Sequence, residues 1–345
     1  MSPLEADIRA AVMADGPMGL DRYMGLCLFH PLHGYYATGH PIGARGDFVT
    51  APEVSQMFGE LCAVWLMSRA GTAPIHVVEM GPGRGTLALD LDRTMRGRIP
   101  FKLHLIERSS SLRETQRGRL GDDVTWHETL EDFAAAADGP VLLVANELLD
   151  ALPFRQFVRE ADRWRERVVT LDGDRLAFAL REAATDLSPA PEGTVREVSP
   201  AREALADGIA SLVAERGGAA LLFDYGSLAG GTGDTFQAVR DHAPCDPLDR
   251  PGTADLTSHV DFEALALTAE AHADVHLATQ GEFLLRMGLL ERAGRLGADA
   301  DGETRTAIEA AVHRLAHPDG MGDLFKTMAI VPRGTAPPAG FEERA

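Results

Sequence analysis

The chain has 345 residues, with 33 Lys and Arg against 52 Asp and Glu, a formal net charge of −19 and 45% hydrophobic residues. Such a length supports about two compact units or one heavily decorated one, and the composition, with 35 Gly and 20 Pro, excludes a low-complexity chain. The acidic surplus repels polyanions, which argues against nucleic acid and anionic membrane surfaces as partners.

Cys27, Cys62 and Cys245 are odd in number and lack C-x-x-C spacing, so they offer neither a disulfide framework nor a zinc ribbon. The N-terminus has no basic start followed by an apolar stretch, and no apolar run approaches about 18 residues. Neither a targeting segment nor a membrane span is therefore expected, and the reading is of a cytoplasmic protein.

In chain order, the first 60 residues read as an N-terminal cap, because turn-rich text at 30–34 and 40–47 separates short apolar pieces. Thr50, Pro52 and Glu53 then form a capping box ahead of a helix over 52–70, with Val54, Met57, Phe58, Leu61 and Trp65 at helical spacing. From residue 75, short apolar runs alternate with longer helical stretches, the pattern of a parallel sheet covered on both faces. Strands are predicted over 75–79, 102–107, 124–127, 141–146 and 219–224. Between the last two, residues 154–180 read as an inserted hairpin turning at Asp172, Gly173 and Asp174, followed by a helix over 201–216 that Gly217 and Gly218 end. A Gly-, Pro- and Asp-rich stretch to about residue 258 is too long for an ordinary connection. Helices over 261–271, 282–290 and 303–315, strands over 275–278 and 326–331, and a loose tail complete the chain. The expected organisation is a cap over 1–60, an α/β core over 61–332 with insertions at about 154–200 and 226–260, and a tail over 333–345.

The sharpest local feature is the strand 75–79 running through Gly81, Gly83 and Gly85 into a helix. Glycines there let the backbone turn tightly and approach a ligand, and the helix start offers N–H groups. A dinucleotide fingerprint needs G-x-G-x-x-G, but the third glycine comes one residue early and Thr86 follows it. Glu107 ends the next strand, placed to accept from both hydroxyls of a ribose, or else merely to cap Arg108 or a helix. His313 and His317 lack the Glu of a zinc protease motif, and Asp241, His242 and Cys245 lie in a loop that collects such residues by chance, so no metal is assigned. Neither a G-x-S-x-G nor a Walker lysine is present, which removes hydrolase and NTPase readings.

A glycine turn of this spacing followed by a strand-end acid is similar to S-adenosylmethionine sites. Five segments in order, GDFVTAPEVSQ at 46–56, EMGPGRG at 79–85, NELLDALP at 146–153, DYG at 224–226 and PGTADLT at 251–257, resemble the MidA family of methyltransferases. The match runs from about residue 20 to 332, with Met80 where Leu or Ile is usual. The resemblance implies a Rossmann-like seven-stranded methyltransferase sheet, S-adenosyl-L-methionine as cofactor, and an arginine-bearing protein as substrate. Mitochondrial members of that family assist assembly of respiratory complex I, so a complex I subunit is the implied partner. The alternative is a non-catalytic complex I assembly factor that keeps a structural cofactor. The resemblance further implies cofactor contacts from Gly81, Gly83, Gly85, Glu107 and Asn146, with Trp126 and His127 near the adenine. Residues 50–56 would close over the methionine end, starting at Thr50, with Gly46 and Asp47 giving close approach and a carboxylate.

An arginine guanidinium is always charged, so methylating it requires carboxylates that concentrate electron density on one nitrogen and accept its proton. Glu147 follows strand 141–146 at the carboxyl edge, where open α/β sheets bind ligands. Asp150 lies three residues on, so a helical turn would set both on one face, although Asp150 can equally cap the turn before Pro153. Asp224, with Tyr225 beside it, ends the fifth strand at the same edge, as site or scaffold.

Overall fold

The apolar runs between residues 75 and 331 pair into one twisted sheet. In this computed structural model, which describes residues 2–38, 49–71, 74–231 and 233–341, its main strands are β1 (Ile75–Met80), β2 (Phe101–Ile106), β3 (Val124–His127), β4 (Val141–Asn146), β5 (Gly218–Ser227), β6 (Asp274–Thr279) and β7 (Phe325–Val331). They lie in the order 3-2-1-4-5-7-6. All are parallel except β7, which enters antiparallel between β5 and β6, pairing Leu222 with Met328 and Leu277 with Met328. β1 and β4 are buried along their whole length, as strands covered on both faces require.

The chain divides into two compact units, one of residues 1–48, 149–204 and 230–260, the other of 49–148, 205–229 and 261–345. The sheet belongs to the second. On one of its faces Ile75, Val77, Leu103, Leu105, Leu142 and Val144 join Phe58, Leu61, Cys62 and Trp65 of the helix Gln56–Ser68 in a single core. Phe223 links Phe58 and Phe283 there, with ring centroids 4.9 and 5.5 Å away. Of the stretch expected as a loose tail, residues 333–341 are tied to this core: Trp65 donates to the Ala339 carbonyl at 3.0 Å, and the buried Phe341 packs against Trp65 and Phe283.

The helix expected over 52–70 is broken. Ser55 is extended (φ −163°, ψ 141°), so a short helix Ala51–Val54 precedes Gln56–Ser68, and Ser55 rather than Thr50 caps the longer one by accepting from the Met57 N–H. Two serine- or threonine-type caps five residues apart compete there, and the second wins.

The helices of the N-terminal segment read as a cap share a buried core with residues far along the chain. Helices Pro3–Asp15 and Leu20–Phe29 bury Leu4, Ile8, Tyr23 and Met24 in one cluster with Phe154 and Val169. The inserted hairpin is larger than expected, with strands Arg155–Glu160, Arg163–Asp172, Arg175–Glu182 and Val195–Val198 plus Met18–Gly19 in one antiparallel sheet. Its turns use left-handed residues, Ala161 and Asp162 at the first and Gly173 at the second. The long 225–258 stretch holds three short paired strands, Gln237–Arg240, Ala243–Cys245 and Asp255–Thr257. Among the described residues no helix is long and apolar enough to cross a membrane.

On the opposite face of the main sheet, His76, His104 and His127 form a diagonal hydrogen-bonded ladder across β1, β2 and β3, with links of 3.0 and 2.9 Å, and Asp138 pairs with its first ring at 3.0 Å. Phe133 packs edge-on against all three rings. Burial, and then the neighbouring His127, His76 and Lys102, pull His104 down to about 4. The unfolded chain binds a proton near pH 6.5 that the folded ladder refuses, so the contribution of His104 to stability is present above pH 6.5 and is lost as pH drops towards 4. Urea midpoints of the wild-type chain should therefore fall relative to those of His104→Gln between pH 7 and pH 5; a difference between the two proteins that does not change with pH would contradict this.

Candidate active site

β1 ends at Met80 and the chain turns through Gly81, Gly83 and Gly85, all left-handed at φ +64°, +50° and +78°. Gly85 is the N-cap of the helix Thr86–Met95. A Cβ on Gly81 would stand 2.8 Å from the Leu148 Cδ1, which would have to turn aside, and the left-handed φ strains any residue but glycine there. The alternation of left-handed residues next to a helix start is the backbone geometry that gathers N–H groups into a ligand-binding concavity.

Glu107 directly follows β2, its N–H donating to the His127 carbonyl at 3.0 Å. One carboxylate oxygen accepts from the Ser109 N–H at 2.8 Å and the other from the Gln116 amide at 3.4 Å. Ser109 itself caps the helix Ser110–Leu120, while the Glu107 carboxylate takes the Arg108 and Ser109 N–H groups ahead of that helix. Burial pushes the Glu107 carboxyl up, against the pull of Ser109 and Gln116. Trp126 is half-buried, its indole N–H donating to the Gln116 carbonyl at 2.8 Å while Arg117 lies over its ring at 4.8 Å. The His127 ring, expected near the adenine, has its Nε2 committed to the ladder with His104.

At the end of β4, Asn146 is buried and donates to Glu147 Oε1 at 3.0 Å. Glu147 is left-handed (φ 53°), a conformation that costs a non-glycine residue about 1–2 kcal/mol. Its N–H donates to the Phe223 carbonyl at 2.9 Å, and its Oε1 also accepts from the Ala51 N–H at 3.2 Å. The carboxylate thus sits at the start of the Ala51–Val54 helix, the place that the capping box assigned to Thr50 and Glu53. Thr50 makes no side-chain cap bond, and Glu53 instead accepts from the Thr86 hydroxyl at 2.5 Å.

The expected helical turn joining Glu147 to Asp150 does not form, since a left-handed Glu147 breaks the α conformation and Pro153 blocks its continuation. Asp150 belongs to the first unit, where its carboxylate accepts from the Ala151 N–H at 2.9 Å and its carbonyl from Arg202 at 3.0 Å. Asp224 is fully buried in β5 and accepts from the Tyr225 N–H at 3.0 Å; Tyr225 packs edge-on against Phe325. Gly46 and Asp47 lie outside the described residues.

Two residues were missed. Glu79 continues the Ile75 and Val77 face of β1 into the core, 3% exposed, and burial pushes its carboxyl up to about 8, helped by Asp90 and Glu107 and opposed by the Ala88 N–H. An acid in an apolar strand two residues before Gly81 was the available signal. Gln116 joins Gly83, Glu107 and Trp126, but one amide in a polar helix gives no signal of its own.

The edge passes a test of fit for a cationic, hydrogen-bond-donating cofactor. Glu79 Oε2 and Asn146 Oδ1, on adjacent strands, are buried acceptors with no donor among the described residues. Glu107, Glu147 and Asp224 add carboxylates to this edge, and a cation brought against Glu79 would favour its ionised form, so the edge is complementary to ammonium, sulfonium or guanidinium groups. Among the described residues no group of three or more His, Cys, Asp or Glu could hold a metal.

Residues 57–280 match a family model described as "Putative S-adenosyl-L-methionine-dependent methyltransferase". Over 374 residues the chain is 33% identical to the mitochondrial protein arginine methyltransferase NDUFAF7 homolog of Drosophila melanogaster, covering 95% of this chain and 85% of that protein. It is 31% identical to the human mitochondrial protein arginine methyltransferase NDUFAF7, covering 96% and 84%. A Burkholderia thailandensis structure bound to S-adenosyl-homocysteine superposes with a TM-score of 0.85 at 29% identity, covering 98% of this chain and 93% of that one. The mitochondrial names of the curated relatives overturn the expectation of a cytoplasmic protein.

Proposed function

Given that the chain belongs to this family of S-adenosyl-L-methionine-dependent methyltransferases, we propose that it methylates an arginine side chain of a protein partner. The observation that carries the reading is Glu147, a strained residue whose carboxylate is held by Ala51 and Asn146 at the carboxyl end of the strand beside the glycine turn. Strain of this kind persists where surrounding structure enforces it and clusters at active sites.

In this reading the Gly81, Gly83 and Gly85 turn, Glu107 and Asn146 hold the cofactor, Trp126 flanks it, and the segment from Thr50 closes over it. The bound cofactor supplies a methyl group activated by a sulfonium. Glu107 accepts from ribose hydroxyls, and the buried acceptors of Glu79 and Asn146 receive donors from the amino-acid end. Glu147 pairs with the substrate guanidinium, aims one nitrogen and takes up its proton as the new N–C bond forms and the bond between that methyl and the sulfonium sulfur breaks, so that positioning and electrostatics carry the rate.

The names of the relatives support arginine as acceptor, and the MidA resemblance makes a complex I subunit the first partner to test. Co-expression with complex I subunits followed by peptide mass spectrometry is expected to show methyl gain at arginine that depends on Glu147. Methyl gain confined to another residue type would overturn the assignment.

A further inference from the structure

We infer that Gln116 is a positioning residue for cofactor binding: its buried amide locks the Glu107 carboxylate and the Gly83 peptide into one fixed arrangement. The inference rests on the reading of Glu107 as the ribose acceptor.

Gln116 is the buried residue of the otherwise polar helix Ser110–Leu120, with no exposed surface. Its amide orientation is forced, because the Trp126 indole nitrogen can only donate and sits 2.8 Å from Oε1. Nε2 must then face the other way, where it donates to the Gly83 carbonyl at 2.7 Å and to Glu107 Oε2 at 3.4 Å. One side chain therefore ties the turn after β1, the acid after β2 and the aromatic ring on β3. An apolar residue of the same length would fill the space, yet it would leave the Gly83 carbonyl, a Glu107 oxygen and the Trp126 N–H without these partners.

The amide also has an electrostatic role. Around the Glu107 carboxyl, Arg113 of the same helix binds the Glu107 and His127 carbonyls and favours the ionised form, Arg108 follows in the chain, and Glu79 on β1 opposes it. The donors to the carboxylate itself are the Arg108 and Ser109 N–H groups and, as the side-chain donor, the Gln116 amide. Burial raises the Glu107 carboxyl and these donors lower it, so losing Gln116 raises it further and lets a proton compete with the ribose at higher pH.

The test is titration calorimetry of S-adenosyl-homocysteine against the full chain from pH 5.5 to 8.5, with no turnover required. Gln116→Met should weaken binding about tenfold at pH 7 and move its acid limb upward by about one pH unit. Gln116→Glu keeps the shape, so it decides the matter if the methionine variant does not fold; its charge beside Glu107 should move the limb up at least as far. Glu107→Gln should weaken binding and remove the part of the limb that the Gln116 variants move, leaving the part that Glu79 sets near pH 8. Wild-type affinity in Glu107→Gln would sink the ribose assignment, whereas a wild-type limb in both folded Gln116 variants, with Glu107→Gln defective, would overturn the role of Gln116 alone.

Discussion

Glu147→Gln is expected to lower methyl transfer at least about a thousandfold while S-adenosyl-homocysteine affinity stays within about twofold. The glutamine is chosen for the geometry around Oε1. That oxygen accepts from the Ala51 N–H and from the Asn146 amide, and a glutamine carbonyl can accept from both. The substitution removes the charge that a guanidinium needs and keeps the anchor for the Ala51–Val54 helix. Glu147→Ala removes both, so it should match the glutamine variant in rate but also loosen that helix and lower the melting temperature. A rate loss in the alanine variant with near-normal turnover in the glutamine variant would make Glu147 a structural anchor rather than a catalytic residue. Single-turnover rates and product-analogue affinity, measured on the same preparations, separate these cases.

The second large effect is predicted at Gly83. Gly83→Val should weaken cofactor binding by about a hundredfold or more, because a β-branched residue is poorly tolerated at its left-handed φ of +50°. The backbone has little freedom to relax, since the Gly83 carbonyl accepts from the buried Gln116 amide. Gly97→Val provides the control. Gly97 is also left-handed, at φ +77°, but a Cβ there meets nothing within 4 Å, so this variant should lose some stability and keep full cofactor affinity. Equal binding losses at both positions would point to general destabilisation instead of a local site.

What was readable in the sequence follows from how local each signal is. The strands 124–127 and 141–146 coincide with β3 and β4, because a short apolar run between turn residues needs nothing distant to specify it. Gly81, Gly83 and Gly85 were legible for the same reason. The core of the first unit is less legible: Leu4, Ile8 and Val12 recur at helical spacing and are buried, but the turn-rich text after residue 30 dominates the local signal. The capping box failed through tertiary competition: the carboxylate at Ala51 comes from Glu147, 96 residues away. Long-range partnerships such as Gln116 with Gly83, or the ladder of His76, His104 and His127 on three strands, leave no local trace. Left-handed backbone at a glutamate is likewise invisible without the fold that enforces it.

The central claim is that this carboxyl edge methylates arginine through Glu147. Its most direct test is transfer of a labelled methyl group from S-adenosyl-L-methionine into a mitochondrial or complex I-containing lysate, by the wild-type chain and by Glu147→Gln, followed by acid hydrolysis and identification of the labelled amino acid. The account predicts methylarginine with the wild-type chain and none above background with Glu147→Gln. Label on a different amino acid, or methylarginine of equal yield from both proteins, would contradict it.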